Sequence, residues 1–324
     1  MNDFYKSRKV LVAGGTGTIG IPLTRKLVEL GADITVAALD APARARELFD
    51  PVVRYIQADL TRADSCLQVT SGQEFVFNLL CNKGAANIGV KKAAECFMPM
   101  LLYQLYLMDA AYRSNVERYL FVSSIGAYPN ISLRKEEDLW DGFPQQNDCY
   151  AGLAKRVGEV QGTVYSLVYD WDAVRVVRPA NVYGAYDNFD PATGQVIPAL
   201  IARMVGGENP VKVWGFTAVR DFIYSEDVAE GMLLALEKLP SCTPVNLGSG
   251  IGYVIKEIAG IIARCMDSVP DLIWQDNGEN IIGDSIRVLD VTKAKELLGF
   301  VISTSIDEGI RKTIDWYKSI RKER

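Results

Sequence analysis

Residues 10–20 have the sequence Val-Leu-Val-Ala-Gly-Gly-Thr-Gly-Thr-Ile-Gly, and this segment is the strongest indication of the fold. Apolar residues, most of them β-branched or bulky, lead into Gly14, Gly17 and Gly20, and the amphipathic segment Ile21–Leu30 follows. A strand, a glycine turn and a helix in this order can bind a pyrophosphate, because the backbone amides at the positive end of the helix then point toward the anion. The segment therefore predicts a dinucleotide-binding βαβ unit, and a glycine turn needed only for tight packing is the alternative.

Further runs rich in β-branched residues alternate with helical segments through the first half of the chain. The predicted strands after the first are Ile34–Ala38, Val53–Gln57, Phe75–Leu80, Tyr119–Ser123 and Ala173–Val177. Such alternation is typical of parallel strands with helices on both faces of the sheet. We therefore expect an α/β fold, with a Rossmann-type, doubly wound parallel sheet.

After residue 178 the pattern changes to loops rich in proline, glycine, asparagine and aspartate, followed by three more helices. These helices are predicted around Glu226–Leu239, Val254–Met266 and Ile306–Ile320. We expect residues 1–180 to form the dinucleotide-binding domain, with a segment near 214–247 returning to it. Residues 181–324 would then form mainly a smaller α/β substrate-binding domain.

Composition excludes several classes of protein. The chain has 324 residues, 49% of them hydrophobic, and a net charge of −5, which is typical of a globular protein and a poor match to nucleic-acid binding. The six cysteines have no paired spacing, no apolar run approaches the length of a membrane span, and no signal-peptide pattern is present. We expect a cytoplasmic protein that binds neither membranes nor nucleic acids.

The chain contains no histidine. Proton transfer near neutral pH must therefore use tyrosine, lysine, cysteine or a carboxylate, and zinc sites built on imidazole are excluded. No metal site is expected.

The choice between NAD and NADP depends on residues that follow the second strand. An acidic residue there hydrogen-bonds the ribose 2′-hydroxyl and repels a 2′-phosphate, and Asp40 lies two residues beyond the predicted strand end. Arg44 and Arg46 could instead attract a phosphate, unless they are solvated helix residues. These residues favour NAD slightly and leave NADP open.

Motifs spread along nearly the whole chain resemble those of the extended short-chain dehydrogenase/reductases that act on nucleotide sugars. The segments that carry the resemblance are residues 14–20, 58–60, 122–128, 178–184, 219–224 with 227–228, 245–250 and 287–290, together with Tyr150 and Lys155. The resemblance implies an enzyme that binds NAD(P) and a nucleotide-sugar substrate.

The resemblance also implies a role for each matching residue. Ser124 would bind the reacting hydroxyl, Tyr150 would be the acid/base, and Lys155 would bind the nicotinamide ribose and lower the tyrosine pKa. The residues expected to contact the dinucleotide are Gly14, Thr16, Gly17, Thr18, Ile19, Gly20, Asp40, Asp59, Leu60, Leu79 and Lys155. The residues expected to hold the sugar nucleotide are Asn181, Arg220 and Arg287. Surface ion pairs for the two arginines, and a turn-stabilising role for Asn181, are the alternatives.

One departure from the family concerns the catalytic pair. The family places its tyrosine and lysine four residues apart on one helical face, whereas Tyr150 and Lys155 are five apart and residue 151 is alanine. Five residues rotate by about 140° around an α-helix, so both side chains cannot enter one cleft from a regular helix. Either Tyr150 precedes the first helical turn, or a bulge intervenes, or Tyr150 is a packed aromatic without a catalytic role.

The residues after Ser124 narrow the reaction. Ile125, Gly126 and Ala127 supply neither the acid found there in dehydratases and decarboxylases nor the cysteine of 3,5-epimerases. This apolar turn is similar to that of 4-epimerases and 4-keto reductases, which need only hydride transfer and the Ser/Tyr/Lys set. A 4-epimerase with bound NAD is the first hypothesis, a 4-keto reductase or dehydrogenase with exchangeable NAD(P)H the second, and a non-catalytic dinucleotide-binding regulator the third.

The loops of the second domain would select the sugar and the base. They are predicted at Asn188–Pro198, Trp214–Arg220 and Asn277–Gly283. Oligomeric state is predicted from residues 97–108, which are apolar on more than one helical face. By resemblance, this helix and the one after Tyr150 would form a four-helix seam in a homodimer, unless the chain buries the first helix itself.

Overall fold

The computed structural model describes residues 3–81, 93–146, 148–275 and 285–322. The predicted substrate loop Asn277–Gly283 lies outside these residues. The described strands are β1 (Lys9–Ala13), β2 (Asp33–Ala38), β3 (Arg54–Gln57), β4 (Phe75–Asn78), β5 (Arg118–Val122), β6 (Leu133–Arg134), β7 (Val174–Pro179), β8 (Asn181–Tyr183), β9 (Val211–Trp214), β10 (Val219–Tyr224), β11 (Pro244–Leu247), β12 (Gly252–Val254), β13 (Leu272–Gln275) and β14 (Ile286–Leu289).

The described helices connect these strands, and none of them is long and apolar enough to cross a membrane. They are α1 (Gly20–Glu29), α2 (Pro42–Leu48), α3 (Ala63–Thr70), α4 (Ala93–Arg113), α5 (Cys149–Tyr169), α6 (Val196–Val205), α7 (Ser225–Lys238), α8 (Ile255–Arg264), α9 (Thr292–Leu298) and α10 (Ile306–Lys322).

Seven parallel strands form the central sheet, in the order β11-β7-β5-β4-β1-β2-β3. Residues 10–13 of β1 are fully buried, because helices cover both faces of the sheet. The predicted Rossmann-type fold is confirmed. Strands β2 and β3 are added on one side of β1, and β4, β5, β7 and β11 on the other side, so the order of the strands reverses between β1 and β4. Folds of this kind bind their ligands in a crevice at the carboxyl ends of the strands at such a point.

The later strands form smaller sheets beside this layer. One has the order β12-β10-β14-β6 with β8 also paired to β10, and the other pairs β9 with β13. Strand β11 lies in the central sheet next to β7, and α7 packs against α1, β5 and β7. The part of the chain after residue 180 therefore contributes strand β11 and helix α7 to the central layer as well as the smaller sheets.

Candidate active site

The glycine turn between β1 and α1 fits a bound pyrophosphate. A β-carbon on Gly20 would lie 2.5 Å from the backbone of Gly15, and Gly14 has a φ of +79°, which side chains disfavour. No acidic residue lies in the first turn of α1, and no side chain caps its first amides. The amide of Ile21 donates to the carbonyl of Gly17 at 3.1 Å, so the amides of the turn before it, together with the helix dipole, are the groups that would bind an anion.

Asp40 lies at the entrance to this turn. Its carboxylate accepts a 2.6 Å hydrogen bond from Thr16 Oγ1, and its carbonyl accepts one of 2.6 Å from the Tyr55 hydroxyl. Arg44 is engaged by Glu47 on the surface of α2, at 2.9 Å. The structure thus fixes a carboxylate, rather than a guanidinium, beside the glycine turn.

Other residues predicted to contact the cofactor border the same crevice. Asp59 follows β3, and hydrogen bonds from the hydroxyl and the amide of Thr61 lower its pKa. Leu60 has a buried side chain, and the amide of Leu79 donates to Ala13 at the end of β1, at 3.0 Å. These residues follow strands of the central sheet, and their contacts with the cofactor stay a prediction.

Ser124 lies two residues beyond the end of β5 and begins a short 3₁₀ turn. Its Oγ accepts a 3.0 Å hydrogen bond from the amide of Gly126, which orients the hydroxyl at the carboxyl end of the strand. Ile125 and Ala127 point into the core and are 2% and 0% exposed. The turn itself therefore contributes no acid or thiol to the site.

Lys155 reaches the crevice from α5. Its ammonium donates to the carbonyls of Val122 at 2.7 Å and Leu80 at 3.2 Å, so it joins the ends of β5 and β4. The side chain is buried, and desolvation lowers its pKa. Its two bonds hold the Lys155 amino group at the carboxyl ends of β4 and β5.

Tyr150 does not share this position. It is the second residue of an uninterrupted α-helix, so it neither precedes the first turn nor follows a bulge. Its side chain is 44% exposed, and its ring packs edge-on against Phe97 of α4 at 6.1 Å. The ring thus contacts α4, and a catalytic role for Tyr150 stays a prediction.

Sequence analysis missed Asp148, which directly precedes α5. Its carboxylate accepts hydrogen bonds from Arg287 Nη2 at 2.7 Å and Gln145 Nε2 at 3.0 Å. Its Cγ lies 3.2 Å from the point where a β-carbon on Gly126 would stand, and Ser124 Oγ lies 3.4 Å from that point. A carboxylate therefore occupies the space beside Ser124 that residue 126 leaves empty.

The predicted substrate residues lie on the smaller sheet. Arg220 of β10 and Arg287 of β14 are direct neighbours in register and therefore extend from the same face. Arg220 Nη1 donates to the carbonyl of Val219 at 2.8 Å, and Asn181 donates to the carbonyl of Asp221 at 2.8 Å. Asn181 thus joins β8 to β10, and Arg287 makes an ion pair with Asp148. The binding of a sugar nucleotide by these residues stays a prediction.

Sequence analysis also missed Asp221, which lies next to Arg220 in β10 and binds the backbone of β14, the strand that carries Arg287. Its buried carboxylate accepts hydrogen bonds from the amide and hydroxyl of Ser249 at 2.9 and 2.7 Å, and from the amides of Gly250 and Leu289. Burial raises its pKa despite these bonds. Within the described residues, no cluster of histidine, cysteine and carboxylate side chains could hold a metal ion.

Comparison with known proteins identifies the class. Residues 10–248 match the model of the NAD dependent epimerase/dehydratase family, and the chain belongs to that family. It is 28% identical to GDP-L-fucose synthase 1 of Arabidopsis thaliana, over 96% of this chain and 94% of that protein. It is 26% identical to dTDP-4-dehydro-6-deoxy-D-allose reductase of Streptomyces bikiniensis, over 98% of each chain.

A solved structure agrees with this assignment. The UDP-glucose 4-epimerase of Thermus thermophilus, in complex with NAD, superposes with a TM-score of 0.82 and 25% identity, over 95% of this chain and 98% of that one. The predicted membership of the extended short-chain dehydrogenase/reductases is confirmed. The chain is an NAD(P)-dependent enzyme, and the hypothesis of a non-catalytic regulator is set aside.

Proposed function

We propose that the enzyme is a nucleotide-sugar 4-epimerase, which oxidises and re-reduces a ring carbinol carbon of its substrate. The observation that carries the proposal is the turn after Ser124, where Ile125 and Ala127 are buried and Gly126 has no side chain. Such a turn supplies no group for abstracting a proton from the carbons next to the reacting one. Hydride transfer at a single carbon is the reaction that this site supports best.

Different residues would bind the cofactor and the substrate. The glycine turn would hold the dinucleotide, whose nicotinamide supplies the hydride acceptor, and Asp40 beside Thr16 favours NAD over NADP. Arg220 and Arg287 would bind the diphosphate of the sugar nucleotide with their forked donors. A guanidinium has five N–H donors, so the contact between Arg287 and Asp148 leaves it able to bind a phosphate oxygen as well.

A 4-keto reductase with exchangeable NAD(P)H is the second candidate. It is favoured by the similarity over nearly the whole chain to the Streptomyces bikiniensis reductase. An epimerase regenerates its cofactor in each cycle, so it would be purified with NAD bound. A reductase would consume NAD(P)H stoichiometrically, and mass spectrometry of the small molecules released on denaturation distinguishes the two.

Turnover in heavy water tests the proposed reaction class. We expect C3 and C5 of the product to remain fully protonated in the NMR spectrum, because hydride moves between carbon and cofactor without exchange with solvent. Incorporation of deuterium at C3 or C5, absent from a sample without enzyme, would show proton abstraction from carbon and refute simple 4-epimerisation or 4-keto reduction.

We also propose that the enzyme is a homodimer that associates through α4 and α5. An exposed apolar stripe follows α5 at helical spacing and consists of Tyr150, Val157, Val160, Val164, Leu167 and Val168. Leu167 and Val168 are 77% and 64% exposed, which is unusual for a soluble helix unless another surface covers it.

Light scattering at micromolar concentration tests the dimer. Leu167→Glu should shift the protein to monomer, because burying an unpaired charge in an apolar interface is costly. Val269→Glu, at another residue with 63% exposure, should leave the dimer intact. A monomeric wild-type protein would refute the proposal.

A further inference from the structure

We infer that Asp148 is the acid/base that exchanges the proton of the reacting hydroxyl beside Ser124. The inference rests on the proposed hydride transfer at a carbinol carbon and adds the group that carries the accompanying proton. Neither the family's motifs nor the spacing of Tyr150 and Lys155 points to this residue.

The first argument is placement. Ser124 Oγ and Asp148 Cγ lie 3.4 and 3.2 Å from one point, the position of a β-carbon on residue 126. Any side chain there would press against Asp148, so Gly126 gives the carboxylate access to the serine. A substrate hydroxyl bound to Ser124 would therefore lie within reach of Asp148, directly or through one water.

The second argument is how the carboxylate is held. The chain reaches Asp148 just before α5, where the amide of Gly152 donates to its carbonyl at 2.6 Å and fixes the backbone. Arg287 and Gln145 both donate to Oδ2, at 2.7 and 3.0 Å. The positive charge of Arg287 favours the ionised carboxylate. A base must be ionised and correctly oriented before it accepts a proton.

The third argument concerns the competing groups. Lys155 directs two N–H bonds at backbone carbonyls, so its amino group is held as a hydrogen-bond donor at the ends of β4 and β5. Tyr150 is rotated by about 140° from Lys155 on a regular helix and packs against Phe97. With no histidine in the chain, a carboxylate next to Ser124 is the best-placed described group.

The proposed step conserves atoms and charge. In the oxidation, the O–H bond of the substrate hydroxyl breaks and its proton joins the Asp148 carboxylate. The C–H electron pair leaves with its hydrogen as hydride to the oxidised nicotinamide dinucleotide, and a C=O bond forms. In the reduction, the carboxylic acid returns the proton to the oxygen as hydride returns to carbon.

Four variants test the assignment with a panel of UDP-, GDP- and dTDP-linked hexoses and their 4-keto forms. Asp148→Asn and Asp148→Ala should lower turnover by at least 100-fold, within the usual contribution of a general acid/base, while the dissociation constant of the sugar nucleotide, measured by calorimetry, changes less than about tenfold. Asp141→Ala, which removes an exposed carboxylate from the same connection, should retain wild-type turnover. Tyr150→Phe tests whether Tyr150, rather than Asp148, is the acid/base.

Chemical rescue separates a proton carrier from a structural residue. Formate should restore turnover of Asp148→Ala in a concentration-dependent way, because a small carboxylate can enter the space left by the side chain, whereas it should not stimulate Tyr150→Phe. Circular dichroism and thermal unfolding establish that each variant is folded.

Three outcomes would overturn the inference. Turnover of Asp148→Asn within threefold of wild type would do so while leaving the proposed function intact. A large loss in both Asp148 variants without formate rescue would assign Asp148 a structural role. A wild-type enzyme that turns over no sugar nucleotide in the panel would refute the proposed function and the inference together.

Discussion

Replacing Glu159 with alanine is expected to lower the free energy of unfolding by about 3–5 kcal/mol, because it would leave the Arg178 guanidinium buried without its counter-ion. Arg178 is 2% exposed, and its Nε and Nη2 donate to the two carboxylate oxygens of Glu159 at 3.0 and 2.6 Å. Its Nη1 donates to the Tyr128 hydroxyl at 2.8 Å and to the Glu136 carbonyl at 2.7 Å. These bonds join α5, β7 and the segment after β5.

Urea unfolding monitored by circular dichroism measures this loss. The matched control is Glu308→Ala, which breaks the exposed pair between Glu308 and Lys312 at 2.8 Å. An exposed pair on one helix contributes about 1 kcal/mol or less, so this control should unfold almost as wild type does. Equal losses in the two variants would show that burial does not decide the cost of removing a carboxylate here.

The sequence predicts the central sheet well because most of its strands are buried and therefore rich in apolar residues; the edge strand β3, with the sequence Arg-Tyr-Ile-Gln, is the exception. The ends of elements are harder to predict. Phe75–Leu80 was expected as one strand, but β4 ends at Asn78, whose Oδ1 accepts a hydrogen bond from the amide of Leu80 at 3.1 Å. A side chain that binds the backbone two residues later competes with the strand ladder.

The helix before β5 is longer than the apolar residues that indicate it. Residues 97–108 are apolar on more than one helical face and include Pro99, and proline removes a helical hydrogen bond. The structure continues α4 through Pro99 from Ala93. Packing of its apolar residues against α3 and α5 outweighs the local preference of the proline.

Only part of the candidate site could be predicted. The glycine turn and Ser124 are local motifs, and the 140° mismatch between Tyr150 and Lys155 follows from helix geometry alone. The contact of Asp148 with Arg287 and with the turn at Gly126 depends on tertiary folding, which brings together β14, the start of α5 and the end of β5. No pattern in the sequence indicates which of the many loop carboxylates would lie there.

Replacing Lys155 with methionine is expected to lower turnover by about 10²–10³-fold, the usual cost of removing one pre-oriented donor from an active site. Methionine has a similar length and fills the same space, so the main change is the loss of the ammonium. The dissociation constant of the dinucleotide, measured by calorimetry, should also increase, because the ammonium lies at the ends of β4 and β5, where a nicotinamide ribose would bind.

Lys238→Met is the matched control for this variant. Lys238 also donates to a backbone carbonyl, that of Leu298 at 2.9 Å, but it is exposed and lies at the end of α7, on an element that contributes none of the candidate site residues. Lys155 is buried and makes two such bonds, so Lys155→Met should lose somewhat more stability than Lys238→Met. Turnover and dinucleotide affinity should fall only in Lys155→Met. If the two variants kept the same turnover, Lys155 would be a structural bridge between β4 and β5, and the cation at this edge of the sheet would have no part in the reaction.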